Sequence, residues 1–207
     1  MATLGTLRTR ISDELQIDAT VFSSEIDRAI YSAIEFFNDK DFWFLDTSPA
    51  MITLSATVDY PLATVLPGRS HIKQIWLHLT PIKQELHFRT LSEFLGLDFS
   101  DDYTGDPEYW TIENDTLRIF PKPQSTFTAE AYYSLRRSMT ASASASSVWT
   151  NEAEELIRLT AEVDILENRM KDFDEAMRKR GRLQAVLMNL DEKTVRRRGT
   201  RRIKPFM

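Results

Sequence analysis

The chain has 207 residues and a mass of 24.0 kDa, which is enough for one large domain or two small ones. Hydrophobic residues make up 42% and charged residues 28%, so a wholly disordered chain is excluded. The six glycines are at least nine residues apart and there is no cysteine, which excludes glycine-rich phosphate loops, disulfides and zinc fingers. No apolar run reaches the length of a membrane span and no secretion signal opens the chain, so we expect a soluble protein of a reducing compartment.

The charges are unevenly distributed along the chain. The net charge is −5, but the last fifteen residues hold seven cations and no acid, which leaves −12 on the first 192 residues. A basic end on an acidic body is typical of an interaction arm. Its partner could be nucleic acid or an acidic protein surface, and the charge alone does not choose between them.

Residues 1–46 predict two helices, because apolar residues recur at spacings of three and four. The first stripe is Leu4, Leu7, Ile11 and Leu15, and the second is Ile26, Ile30, Ala33, Ile34 and Phe37. Ser24 and Asp27 have the spacing of a capping box and predict the start of the second helix. Neither helix can bury its stripe alone, so both must pack against other elements.

Residues 47–138 predict a lobe of antiparallel strands. Apolar and polar residues alternate without a break from Ile52 to Tyr60, which predicts one strand with one apolar face. A turn at residues 113–115 predicts a hairpin, and a last strand runs from Phe127 to Leu135. Five or six short strands separated by turns favour an antiparallel sheet or a small sandwich.

The low-complexity run MTASASASS at 139–147 predicts a mobile loop within a linker at 139–149. Residues 150–193 keep a helical stripe, either as one helix of about 40 residues or as two joined near 168–172; two are favoured because globular helices usually have about 8–20 residues. The predicted fold is therefore α+β. An antiparallel bundle of N- and C-terminal helices carries an inserted antiparallel β lobe and an extended basic tail at 194–207.

The sequence predicts no catalytic, cofactor or metal site. His71 and His78 have an odd spacing that sends them to opposite faces of a strand, and with His87 they form no metal-binding pattern. The densest acidic loop does not follow the register of a calcium loop. Its members are Asp98, Asp101, Asp102, Asp106 and Glu108. A hydrolase that uses Asp106 and Glu108 in the β lobe is a weak alternative, and no nucleophilic serine motif is present.

The C-terminal end holds the candidate binding residues. Arginine pairs with carboxylates and phosphates in bidentate geometry, and the apolar groups near the end are not needed by a purely solvated arm. The candidates are Arg196, Arg197, Arg198, Arg201, Arg202, Ile203, Lys204 and Phe206. A docking peptide is favoured, with a solvated end as the plain alternative. A nucleic-acid-binding protein is the other alternative, but such proteins are usually basic overall, whereas the pI here is about 5.3.

Four stretches together resemble one known family. The opening TLGTLRTRISDELQ and SSEIDRAIYSAIEFFNDKDFWFLD, the middle GDPEYWTIENDTLRIFPKPQSTFTAEAYYSL, the helical NEAEELIRLTAEVDILENRM and the end GTRRIKPFM occur in the order seen in head-to-tail connector, or adaptor, proteins of tailed bacteriophages. The chain is similar to tail tubular protein A in this respect. The resemblance covers most of the chain, with 60–106 the least matched.

The resemblance implies a bundle with an inserted β lobe that assembles, in the host cytoplasm, into a twelve-fold ring beneath the portal protein at the neck of the virion. Such rings extend the DNA channel and carry tail, nozzle or stopper proteins. It also implies that the segment from Thr194 to Met207 packs against the portal, and that no catalytic residues are present. An acidic body suits such a channel, because DNA would pass through the lumen without being gripped.

Overall fold

The computed structural model of the protein describes residues 2–97 and 103–199, and the chain divides into two units. One unit combines Met1–Leu45 with Arg136–Met207, and the other is Asp46–Leu135. Helices dominate the first unit and strands the second, so the predicted α+β class is confirmed. Within the described residues, none of the helices is both long and apolar enough to span a membrane.

The helices and strands follow one another in blocks. The helices are α1 (Leu4–Leu15), α2 (Ser23–Asn38), a 3₁₀ helix (Trp43–Leu45), α3 (Leu62–Val65), α4 (Leu91–Leu95), α5 (Val148–Glu152), α6 (Glu154–Ile165), a π-helical segment (Leu166–Met170) and α7 (Phe173–Gly199). The strands are β1 (Ala50–Leu54), β2 (Asp59–Pro61), β3 (Arg69–Leu79), β4 (Ile82–Phe88), β5 (Thr104–Gly105), β6 (Tyr109–Glu113), β7 (Thr116–Phe120), β8 (Lys122–Pro123) and β9 (Phe127–Leu135).

The helical unit has one apolar core to which both ends of the chain contribute. The stripes predicted for the first two helices lie in it, together with residues of α5, α6 and α7. Trp149 is fully buried at its centre, packs edge-on against Phe42 and Phe44, and donates its indole N–H to the Arg137 carbonyl at 2.8 Å. Because a buried indole needs a hydrogen-bond acceptor, this contact fixes the chain where it returns from the β unit.

The predicted linker is ordered by contacts with α1. The first amides of a helix have no partner within the helix. Here Leu4 N–H donates to the Ala145 carbonyl at 2.9 Å and Gly5 N–H to the Ala143 carbonyl at 2.8 Å. A Cβ at Gly5 would lie 2.9 Å from the Ala143 oxygen, so the close approach requires glycine. Two carbonyls of the run predicted as a mobile loop thus pair with α1, and α5 begins at Val148, inside the predicted linker.

The start of α2 also differs from the prediction. The helix begins at Ser23 after Phe22, without a side-chain cap, so Ser24 and Asp27 do not form a capping box. The Asp27 carboxylate instead accepts two hydrogen bonds from the Arg8 guanidinium, at 2.5 and 2.6 Å. Asp27 thus joins α1 to α2 rather than capping its own helix.

The C-terminal helical pattern folds as two helices. α6 ends in the π-helical segment, Lys171 takes a left-handed backbone conformation with φ 61°, and α7 starts at Phe173. A residue in this conformation commonly terminates a helix. α7 continues to Gly199, so the tail predicted to begin at Thr194 starts inside a helix.

The strand unit is built on a seven-stranded sheet in the order β1-β9-β3-β4-β6-β7-β2, with β5 and β8 paired separately. The neighbours are antiparallel except β4 and β6, which run parallel, so the predicted antiparallel lobe is a mixed sheet. The first and last strands of the sheet, β1 and β2, are consecutive in the chain and joined by residues 55–58. The sheet must therefore curl until its two edges approach each other, and its apolar side chains form an enclosed core.

The alternating run from Ile52 to Tyr60 is broken into β1 and β2. Tyr60 is buried, and its hydroxyl donates to the carbonyls of Ser55 and Thr57, at 2.6 and 2.8 Å, and accepts from Ser55 N–H at 3.0 Å. These bonds hold the backbone in a bend where the alternation predicted a continuous strand. The predicted hairpin is confirmed, with Asn114 and Asp115 at positive φ between β6 and β7, as a two-residue type I′ turn requires.

Replacing Phe37 with alanine should destabilise the protein by about 3–5 kcal/mol, because its side chain is 3% exposed within the bundle core. Phe36→Ala is the matched control: the neighbouring ring is 64% exposed, so its loss should cost about 1 kcal/mol or less. Urea unfolding measures both. A loss below about 1 kcal/mol for Phe37→Ala would contradict the bundle packing.

Inserting Gly-Ser after Ser144 should destabilise the fold by about 1–2 kcal/mol, because it separates the two carbonyls that receive the first amides of α1. The same insertion after Thr140 should cost less, since it leaves the turn at 142–145 intact. Thermal unfolding of the two insertion variants compares them directly. Equal stability would show that the carbonyl contacts contribute nothing.

Candidate functional site

The basic C-terminal end of α7 is the candidate site that the structure describes. The acids Asp174 and Glu175 lie in the first turn of this helix, and Arg196, Arg197 and Arg198 lie in its last turn. Both placements complement the helix dipole, whose positive end is at the N-terminus. The three arginines are therefore part of a helix whose electrostatics favour them there, and not of an extended segment.

The last turns of α7 are fixed against the 3₁₀ helix. Leu190 and Thr194 are buried. The Thr194 hydroxyl donates to the Leu190 carbonyl at 2.8 Å and accepts from Trp43 N–H at 3.5 Å. The buried Thr194 hydroxyl thus provides a hydrogen-bond partner for one backbone group of each element.

Each of the three arginines contacts a different group of its own chain. The Arg198 guanidinium donates two hydrogen bonds to the Asp41 carboxylate, at 2.6 and 2.8 Å. Arg197 lies over the ring of Trp43, 4.7 Å from its centroid. Arg196 pairs with Glu192 one turn earlier, at 2.5 Å. Bidentate and cation–π contacts are the geometries that guanidinium groups favour.

Three of the eight predicted binding residues lie together on α7. Arg196, Arg197 and Arg198 share one helical turn. The remaining five, Arg201, Arg202, Ile203, Lys204 and Phe206, lie outside the described residues. No local pattern indicates that Asp41 and Trp43 contact the basic end, since 157 positions separate Asp41 from Arg198.

A cluster of four charges, three of them buried, attaches α7 to the rest of the bundle. Glu162 of α6 is completely buried, and its carboxylate accepts from Arg158 at 2.9 Å and from Lys179 of α7 at 2.8 Å. Glu14 of α1 also accepts from Lys179, at 2.8 Å, and pairs with Arg158. Two acids and two bases thus join three helices, and each carboxylate contacts both cations.

The pKa values in this cluster reflect burial and pairing in different proportions. Burial raises the pKa of Glu162, although Lys179 and Arg158 oppose the shift. For Glu14, which is partly exposed, the hydrogen bond from Lys179 outweighs burial and lowers the pKa. Burial works to lower the pKa of Lys179, but its bonds to Glu14 and Glu162 outweigh it and raise the pKa. Lys179 is therefore held in its charged form.

The residues considered for other chemistries lie in the strand unit. His71 and His78 are on β3, and His87 is on β4. Asp106 accepts a hydrogen bond from the Gln124 side chain at 2.9 Å, and Glu108 is exposed. Across the described ranges no group of histidines and acids could hold a metal ion. The acids at 98, 101 and 102 fall outside those ranges.

The chain matches a known protein family. The family model described as "SU10 adaptor protein" matches residues 2–203, which is nearly the whole chain and includes both units. Among curated proteins, none matches the chain significantly. The match spans the bundle, the inserted β unit and most of the basic end together.

Replacing Glu162 with glutamine should destabilise the protein by about 3–5 kcal/mol, because two buried cations lose a carboxylate that touches both. Glu155→Gln is the control on the same helix: its pair with Arg182 is exposed, so the cost should be at most about 1 kcal/mol. Denaturant unfolding near pH 7 measures both. Similar costs for the two variants would mean that the cluster does not hold α7.

Proposed function

Because the chain belongs to the SU10 adaptor protein family, a family of structural phage head-to-tail adaptors, we propose that it forms a ring below the portal. In this proposal the ring has about twelve copies, extends the DNA channel and offers a platform for tail, nozzle or stopper proteins. The family match over residues 2–203 is the observation that carries the proposal. The subunit acts through binding surfaces and catalyses no reaction.

The basic end is the part that we assign to the portal. Its residues combine guanidinium groups, which pair with carboxylates, with the apolar side chains of Ile203 and Phe206. An acidic cleft with an apolar pocket on the portal would complement both. The proposed docking residues are Arg196, Arg197, Arg198, Arg201, Arg202, Ile203, Lys204 and Phe206.

The charge of the remaining chain supports a channel through which DNA passes. Residues 1–192 carry a net charge of −12, and each phosphate neutralised by a protein cation adds affinity that would slow transit. An acidic body does not supply such cations in excess. The basic end, by contrast, is short and repeated in every copy of a ring, so its contacts with one portal add through multivalency.

Deleting residues 200–207 should leave a folded protein that no longer joins portal rings, because the deletion removes three cations and the two apolar docking residues while α7 stays complete. Co-sedimentation with purified portal rings of the same phage, at moderate salt, measures the loss. Circular dichroism of the deletion variant verifies the fold. Equal sedimentation of intact and shortened protein would refute the docking role.

Two further measurements separate this proposal from nucleic-acid binding. Negative-stain imaging of the protein with portal rings should show an added ring of about twelve copies. Titration against duplex DNA should show at most weak binding, since a phosphate-tracking arm would give a steep dependence on salt. Steep, tight binding to DNA together with no ring would favour the nucleic-acid alternative.

A further inference from the structure

The basic end has two parts: the last turn of α7, which contacts other residues of the bundle, and the residues after Gly199. Thr194 and Arg197 contact Trp43, the first residue of the 3₁₀ helix, and Arg198 contacts Asp41 in the segment that joins α2 to that helix. The side chains of Asp41 and Arg198 are 48% and 30% exposed, so this ion pair lies at the surface of the bundle. The residues after Gly199 follow directly from this fixed turn.

We propose that Asp41 and Trp43 are positioning residues for docking. They clamp the last turn of α7 through Arg198 and Arg197, and so fix the point from which residues 200–207 leave the body. This inference rests on the proposed function, in which those residues bind the portal. Asp41 and Trp43 themselves touch no portal residue in this scheme.

A clamp adds order to this turn. The helix dipole favours cations there, but helix ends fray and three consecutive arginines repel one another. The structure gives Arg198 a carboxylate, Arg197 an aromatic face and Arg196 the carboxylate of Glu192. Each cation therefore has a compensating partner, which favours helical structure in the turn beyond the buried Thr194.

The position of this turn matters for the proposed docking residues that follow it. Residues 200–207 span at most about 28 Å even when fully extended. Their starting point therefore decides which part of a portal they reach. Because the body already holds the start of this segment, less conformational entropy is lost when the segment binds. The affinity then rises without an added contact.

The clamp assigns different tasks to neighbouring arginines. This narrows the set of eight proposed docking residues: Arg197 and Arg198 hold their own chain, and contacts with the portal belong to the residues that follow the helix. An arginine that donates both of its bidentate bonds to Asp41 does not offer the same pair to a portal carboxylate. Exchanging the charges of Arg198 and Asp41 distinguishes holding the chain from contacting the portal.

The first test measures the clamp without any partner. In Asp41→Ala, amide hydrogen exchange of residues 195–199 should quicken about two- to fivefold, as expected for loss of one surface ion pair. Glu35→Ala is the matched control: it removes an exposed pair between α2 and Arg136, 2.7 Å long, and should leave these amides unchanged. Unchanged exchange in Asp41→Ala would overturn the clamp.

The second test measures docking to portal rings by the full chain. Asp41→Arg and Arg198→Asp should each weaken co-sedimentation about two- to fivefold, and the double variant, which restores the pair in reverse, should recover it. Recovery is expected only if Arg198 acts on Asp41. If the double variant binds as poorly as Arg198→Asp, then Arg198 contacts the portal directly and the inference is wrong.

Failure of the inference can be told from failure of the proposed function. If the deletion of 200–207 binds portal rings as the intact chain does, the docking role fails, and the hydrogen-exchange result on Asp41→Ala still decides whether the clamp exists. If the deletion abolishes binding while Asp41→Arg binds normally, docking stands and the positioning role of Asp41 is refuted.

Discussion

The buried carboxylate of Glu162 is the constraint on which the position of α7 depends. A fully buried carboxylate is unfavourable unless cations and hydrogen bonds replace its water. One of its cations, Arg158, comes from the same helix, but the other, Lys179, comes from α7. A shift of α7 by one turn would remove Lys179 from both Glu162 and Glu14. The register of the helix is therefore set near its start, and its last turn follows about 25 Å further along.

The far end of α7 is held by different physical means. Leu190 is buried in the bundle core, and the Thr194 hydroxyl forms hydrogen bonds with the backbones of Leu190 and Trp43. The Arg198–Asp41 pair lies at the surface. Leu190 and Thr194 are held by burial, whereas the exposed Arg198–Asp41 pair contributes little to the free energy of folding by itself. A helix anchored firmly along most of its length and weakly at its last turn has an end whose order is easily changed by substitution. In the proposed function, the binding residues begin at this turn.

The sequence predicted what local patterns encode and missed what distant partners decide. Periodicity predicted the core stripes, the hairpin and the division near residue 168, because each depends on neighbouring residues. Periodicity failed where a group pairs with a residue distant in the sequence. Asp27 pairs with Arg8, and the first amides of α1 donate to the carbonyls of Ala143 and Ala145. The predicted strand is broken before Tyr60 for a similar reason. The Tyr60 hydroxyl forms a hydrogen bond with the backbone of the bend, and the alternation of apolar and polar residues does not reveal such a contact. The clamp at Asp41 has no spacing signal at all.

The contrast between acidic body and basic end is less abrupt in the structure than in the sequence. Seven cations fall in the last fifteen residues, but Arg196 and Arg198 pair with carboxylates of the body and Arg197 with an aromatic ring. If the arginines of the last turn hold their own chain, as the clamp requires, the cations that remain for a portal are Arg201, Arg202 and Lys204. Three cations and two apolar side chains give one copy only modest affinity, because ordering a segment opposes its binding. A single subunit would then dissociate readily, whereas a ring that presents many ends at once would not. Docking would therefore select for assembled rings over single subunits.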